Sequence, residues 1–366
     1  MKHFVVAHDK NEWCAVPANN GACSPYWQWG NEILVGYTKG KADFSTTGHQ
    51  VSVSDPYNSY LALSKDGGET WINWKPDNYA GCQNMVVEKA MPLQTAINFN
   101  HPNLVMRIEG NGYHGNSGCQ WYYSIDKGKT WKGAYSFGNL FDHDALKDKQ
   151  FTGRTAYIVN SSDSCYFFLS VRESNAGNGE ISQAEKVFLA QSNDGGLSFD
   201  FISWVVPETD PYRAVMPSPV RLSEKTIVIA IRRKGGNAYW IDAYITNDNG
   251  ENWDFLSKIG DTGDHNGNPP AMIALDDGRL CCVYGNRKHN TIIAKYSADN
   301  AKTWHQAQII REDMHSINGY PDIGYPRIFQ RPDQKITAVY FWCSPDKPET
   351  HIAATIFEPV KKAKHS

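Results

Sequence analysis

Short apolar runs rich in β-branched and aromatic side chains recur along the whole chain, each closed by a cluster of Gly, Asp, Asn or Pro. Residues 33–37, 104–108, 165–171, 226–231, 280–285 and 336–341 form the most apolar of them. Each is flanked by two weaker runs, at 22–29 and 60–64, 94–100 and 120–124, 154–160 and 186–192, 217–222 and 240–246, 270–275 and 291–297, and 325–330 and 351–357. Runs this short, bounded by turn formers, predict strands rather than helices. In five of the six sets the last run ends in one polar phrase, S/T-x-D-x-G-x-T-W, which opens at Ser64, Ser124, Ser192, Thr246 and Ser297 and closes at Trp71, Trp131, Phe199, Trp253 and Trp304. The opening residues lie 60, 68, 54 and 51 apart, so the chain repeats one supersecondary unit.

The phrase has a physical reading. A short hydroxyl residue opens a tight turn, the Asp caps backbone N–H groups within it, and Gly supplies the positive φ that other residues resist. The aromatic residue then begins the next strand and covers the turn, so each copy is expected to be a self-contained hairpin corner. Departures are mild: Phe199 keeps a ring, Asn252 keeps a polar group and Ala301 stands where the other copies have Gly.

Taking each phrase as the corner between a third and a fourth strand gives five four-stranded meanders. The last set, 325–357, lacks a fourth strand, while the β-rich segment 3–8 is unassigned at the other terminus. Pairing the two closes a ring and removes an open edge. The expected fold is all-β, a six-bladed β-propeller closed by the N-terminal strand and occupying residues 1–366 as a single domain, because one repeat alone cannot hide its apolar face.

Composition changes this picture in three places. With 36 basic and 39 acidic residues the formal charge is −3, which gives no electrostatic footprint for nucleic acid or an anionic membrane. The eight cysteines show no C-x-x-C and no Cys/His zinc spacing, so they are expected as free buried thiols, with neither metal nor cofactor. The first nine residues carry a four-residue apolar run, too short for a signal-peptide core. A cytosolic setting and a leader lying before the first residue both fit that reading.

In a propeller the phrases and the first-to-second-strand turns share one face. The blade-to-blade loops and second-to-third-strand loops share the other, where six loops converge on the axis. Arg172, Arg232 or Arg233, and Arg287 each follow an apolar second strand there. A lone Arg at such a place is ordinarily a solvated strand end. Three at equivalent places predict a site for an anion, since the guanidinium fork matches a carboxylate. The loop 260–270 brings Asp264 and His265 to the same face, as a polar turn, as a clamp for sugar hydroxyls or as a base for β-elimination. Gly110 to Gly115 spells G-x-G-x-x-G, but no helix follows it and dinucleotide binding is rejected.

The five phrases are Asp-boxes, and with their blade grammar the chain resembles the sialidase (neuraminidase) superfamily over nearly its whole length. That resemblance implies a glycoside hydrolase acting on a terminal, anionic sugar, a carbohydrate partner and a secreted or periplasmic setting. It implies a Tyr nucleophile at the start of the last blade, at Tyr325 in Gly324-Tyr325-Pro326-Arg327, and an acid/base Asp shortly before the first Asp-box, at Asp55 with Asp43 as fallback. It further implies carboxylate-binding arginines at the tops of blades 4 and 5, Arg233 (or Arg232) and Arg287. Two family parts are missing. The first-blade arginine signature is replaced by Ala22-Cys23-Ser24-Pro25-Tyr26-Trp27, and the Glu that activates the Tyr is replaced by Met216-Pro217-Ser218, leaving Glu208 or Asp322 as geometric stand-ins. A polysaccharide lyase using His265 or Tyr325 on uronates, and a non-catalytic glycan-binding propeller, are the alternatives.

Overall fold

A computed structural model describes residues 1–15, 26–77, 90–110, 119–147, 149–152, 155–173, 185–305 and 307–361. Cys23, Cys82, Arg154, the first-blade segment 22–25 and most of the 110–115 glycine motif fall outside them.

The described strands form six antiparallel sheets wound into a six-bladed propeller. Blade 1 contains β2 (Glu12–Ala15), β3 (Gln28–Trp29), β4 (Glu32–Lys41), β5 (Asn58–Ser64) and β6 (Ile72–Trp74), and blade 2 contains β7 (Val105–Gly110), β8 (Cys119–Ser124) and β9 (Lys132–Ser136). Blade 3 contains β10 (Lys149–Phe151), β11 (Ala156–Val159), β12 (Cys165–Glu173), β13 (Lys186–Ser192) and β14 (Asp200–Trp204). Blade 4 contains β15 (Arg213–Arg221), β16 (Ile227–Gly235), β17 (Ala238–Thr246) and β18 (Asp254–Asp261), and blade 5 contains β19 (Ala271–Ala274), β20 (Leu280–Asn286), β21 (Thr291–Ser297) and β22 (Gln308–Arg311). Blade 6 contains β23 (Gly324–Gln330), β24 (Ile336–Ser344) and β25 (Lys347–Phe357), and its fourth strand is β1 (Lys2–Ala7), paired with β25 from Lys2 opposite Ile356 to Ala7 opposite Ile352. The N-terminal strand therefore closes the ring as expected.

The apolar second strands lie between neighbours on both faces, which is why they read as continuous rather than alternating runs. In β16, Ile227, Ile229 and Ile231 pack toward blade 3, while Val228 and Ala230 pack toward blade 5. Equivalent clusters fill the other gaps between blades.

Three expectations need correction. Residues 94–100 do not form an inner strand: Asn98 caps the Asn100 N–H at 2.9 Å, and Ile97 and Phe99 donate to the turn carbonyls of Gly195 and Ser162. A local side-chain cap here competes with a ladder and wins. The blade-to-blade loops expected at 9–13 and 147–154 contain strand: 12–15 and 149–151 pair with the C-terminal ends of β4 and β12. The Asp-boxes, finally, are not self-contained. Their internal bonds are as expected: Ser64 Oγ accepts from Gly68 N–H at 2.7 Å, and Asp66 Oδ1 accepts from Glu69 and Thr70 N–H at 3.0 and 2.9 Å. Their glycines, however, press on the preceding blade. A Cβ on Gly68 would lie 2.6 Å from Thr337 of blade 6, one on Gly128 2.9 Å from Leu34 of blade 1, and one on Gly250 2.2 Å from Leu189 of blade 3.

Candidate functional site

Tyr325 stands at the start of the innermost strand of blade 6 in the left-handed region, at φ 53, with Gly324 before it at φ 126 and Pro326 after it. The ladder to β24 slips between Gly324 and Arg327. Blade 4 repeats the device: Met216, also followed by Pro, sits at φ 58 where β15 slips against β16. A residue before Pro is pushed toward extended backbone, so a left-handed conformation here costs about 1–3 kcal/mol and persists only if its surroundings hold it. For Tyr325 they do. Its N–H donates to Asn268 Oδ1 at 3.3 Å, its ring stacks on Phe341 at 5.3 Å, and Asn268 itself is wholly buried.

One arginine reaches this tyrosine, and a second reaches Tyr320. Arg232 reaches across from β16 with Nη1 3.4 Å from the Tyr325 hydroxyl and 3.1 Å from Met216 Sδ, and it also donates to the Asn266 carbonyl. Arg287, just past β20, donates to the His265 carbonyl at 2.6 Å, to the Ile323 carbonyl and to the Tyr320 hydroxyl at 3.4 Å. Lys234, two residues beyond Arg232 on the same strand face, bonds Asn266 Oδ1 at 3.0 Å. Its pKa is lowered by burial first, then by the neighbouring charges of Arg213 and Arg232. Such crowding of like charge marks a basin that favours an anion or a hydroxyl-rich ligand.

Adjacent strand residues face opposite ways, and this separates the two blade 4 candidates. Arg233 turns the other way, where Asp210 of the preceding loop takes its Nη2 at 2.7 and 2.8 Å and Asp242 of its own blade lies 3.2 Å from Nε. It is a buried ion pair, and Arg232 takes the place expected for it beside Tyr325. Arg172, within β12, bonds Gln150 Oε1 at 3.1 and 3.3 Å. Asp264 is exposed, while the His265 ring lies edge-on to Tyr320 at 5.0 Å. Asp55 accepts from Ser52 Oγ at 2.6 Å and lies 3.6 Å from Lys41. The Ser52 hydrogen bond first, with help from Lys41, holds its carboxyl below the usual range. Asp43 caps its own turn through Ser45.

Asp322 and His49, the latter marked by no sequence motif, form a second group beside Tyr320 and Phe341. Asp322, wholly buried, accepts from Trp13 Nε1 at 2.8 Å, Gln50 N–H at 3.1 Å and Thr350 Oγ1 at 2.6 Å, and its other oxygen meets His49 Nδ1 at 2.5 Å. Burial alone would raise its pKa, but the His49 charge and these donors outweigh burial and hold it low. The sequence offers Asp322 as a partner for the tyrosine, but its remaining oxygen bonds His49. The His49 ring, with 38% of its side chain exposed, stands 5.3 Å from the Tyr320 ring and 6.2 Å from Phe341, the ring on which Tyr325 stacks. Only the polar richness of loop 39–55 could have pointed to His49. Among the described residues no group of three or more His, Cys, Asp or Glu could hold a metal ion.

The geometry can be set beside known proteins. A family model described as BNR repeat-like domain matches residues 103–338. No protein of curated function matches significantly. Among solved structures, a protein of unknown function from Dyadobacter fermentans is similar with a TM-score of 0.66 at 17% identity, over 97% of each chain. The NanB sialidase from Streptococcus pneumoniae gives 0.55 at 12% identity, over 95% of this chain and 68% of that one. An α-L-arabinanase from Penicillium chrysogenum gives 0.53 at 12%, over 98% of each. At these identities the likeness speaks for the fold alone.

Proposed function

The chain belongs to the BNR repeat-like domain family, and from that premise we propose that it is a glycoside hydrolase cleaving a terminal sugar from a glycan. Tyr325 is the nucleophile, and Arg232 and Arg287 hold the sugar's anionic or hydroxyl-rich side. The observation that carries this reading is the strained tyrosine itself: a phenol fixed in a costly backbone conformation at the inner strand of blade 6, its hydroxyl 3.4 Å from a guanidinium. Strain of this kind concentrates at functional sites. A phenol has an ordinary pKa of about 10 and attacks poorly near neutrality without support. Arg232 supplies a positive charge where the nucleophile needs negative charge to develop. The resemblance to sialidases and the likeness to an arabinanase support a sugar substrate, and the cationic basin favours an acidic one.

The test is hydrolysis of a panel of aryl glycosides that includes sialosides, uronides and arabinofuranosides. The wild-type chain releases the aryl group from at least one. Tyr325→Phe loses most of that turnover while keeping its affinity for the sugar. Inactivity across the panel, or full activity in Tyr325→Phe, overturns the reading.

A further inference from the structure

Hydrolysis at Tyr325 needs a second group, one that gives a proton to the departing oxygen and later takes one from water. The Asp expected for that task is poorly suited. A general acid must hold its proton at the working pH, and the Asp55 carboxyl is tied to Ser52 and Lys41. The His265 ring lies edge-on to Tyr320, but among the described residues no carboxylate bonds it.

His49 differs from both. Its Nδ1 is engaged by the buried Asp322 carboxylate at 2.5 Å, which fixes the ring's orientation and leaves Nε2 as the working nitrogen. Asp322 is in turn fixed by three other donors, from Trp13, Gln50 and Thr350. The imidazole is partly exposed, and it lies against Tyr320 and Phe341, the rings that also flank Arg287 and Tyr325. An oriented base, an orienting acid and a nucleophile in one basin is the arrangement that identifies a proton carrier.

We propose that His49 is the acid/base residue of this site and that Asp322 positions it. The inference rests on the glycosidase reading above. In the first step the Tyr325 phenolate, balanced by Arg232, forms a bond to the anomeric carbon as the bond from that carbon to the leaving oxygen breaks. The electron pair leaves with the oxygen, which takes the proton from His49 Nε2, so alcohol departs and the imidazole is left neutral. In the second step the imidazole takes a proton from water, the hydroxide oxygen bonds to the anomeric carbon, and the phenolate and imidazolium are restored.

The experiment compares two glycosides of whichever sugar the wild-type chain hydrolyses, one with a phenyl leaving group and one with 2,4-dinitrophenyl. A dinitrophenolate departs without a proton, so removing the acid harms only the poorer leaving group at the first step. For His49→Gln the expected loss is about 10²–10⁴-fold on the phenyl glycoside, with a much smaller effect on bond cleavage in the dinitrophenyl one. Added azide, which needs no general base, should rescue turnover of the dinitrophenyl substrate and yield a glycosyl azide. Asp322→Asn should show the same pattern more weakly. Equal losses on both substrates without azide rescue, or the leaving-group pattern in Asp55→Asn instead, overturn the proposal while leaving the glycosidase reading standing. A wild-type chain inactive on every sugar refutes that reading and this inference together.

Discussion

Replacing Asp322 by Asn changes one oxygen in a fully buried group and leaves its shape intact. One carboxylate oxygen accepts three of its hydrogen bonds, from Trp13, Gln50 and Thr350, and the other accepts from His49. An amide can keep the three by turning its carbonyl toward them, and its NH₂ then faces His49, which must present a lone pair instead of a proton. Each of the three bonds falls from a charge-assisted to a neutral one, a loss of about 1 kcal/mol apiece. Relief from burying a charge offsets part of that sum, so the net loss is about 2 kcal/mol at neutral pH. For a chain of 366 residues the unfolding entropy is about 0.8 kcal/mol/K, which makes the expected fall in Tm about 2–3 °C. The pH dependence is more telling. Folding lowers the Asp322 pKa, so its stabilisation is complete above the ordinary carboxylate value of about 3.9 and is lost as pH falls through the folded value. The variant has no such group. The gap between the two proteins, followed by calorimetry, should therefore be widest near pH 7 and narrow as the solution is acidified below that range. A gap that stays constant with pH would refute the claim that an ionised Asp322 is the source of the stabilisation.

Other outcomes follow from the same geometry. Gly250→Ala should cost about 1–3 kcal/mol more than Gly278→Ala, since both glycines have positive φ (90 and 83) but only the first would set a methyl 2.2 Å from Leu189. Adding Leu189→Ala should recover part of that excess, and strictly additive denaturation energies would show that the two do not touch. Gly324→Ala would drive a Cβ to 1.6 Å from Asn268 Oδ1. It should abolish turnover while circular dichroism keeps the β signature, and an active Gly324→Ala would mean that Asn268 does not set the tyrosine. The thiols of Cys14, Cys119, Cys165, Cys281, Cys282 and Cys343 are buried, and burial pushes Cys14 and Cys281 up to about 12. They should resist a disulfide reagent at pH 8 until the chain is unfolded, and prompt labelling of any of them, read by peptide mass, would contradict that burial.

The repeat was legible because the Asp-box is local chemistry: hydroxyl, carboxylate and glycine act within eight residues, and their bonds form as the spelling requires. The ring and its N-terminal closure were legible too, by counting strands. The first strand of blade 2 was not, since the cap at Asn98 competes with the ladder expected of residues 94–100. Arg232 and Arg233 illustrate a finer limit. Both stand at a blade top, but read as loop residues they were interchangeable, whereas as strand residues one faces Tyr325 and the other Asp210. His49 and Asp322 lie 273 positions apart, and no local pattern joins them. The motif grammar brings Tyr325 to the axis, but which distant side chains meet it there is decided by how loops fold over the ring.

Asp322 belongs to the last blade, and the groups it fixes, Trp13 and His49, belong to the first. The ladder between β1 and β25 within the last blade and the bond from Asp322 across to His49 thus both tie the N-terminal part of the chain to its C-terminal part. A propeller whose ring has sprung at that joint would keep most of its sheets and lose the chemistry at once. Moving the break, by linking the present ends and opening the chain between two other blades, would place the weak point elsewhere and let activity outlast the first loosening of the wheel.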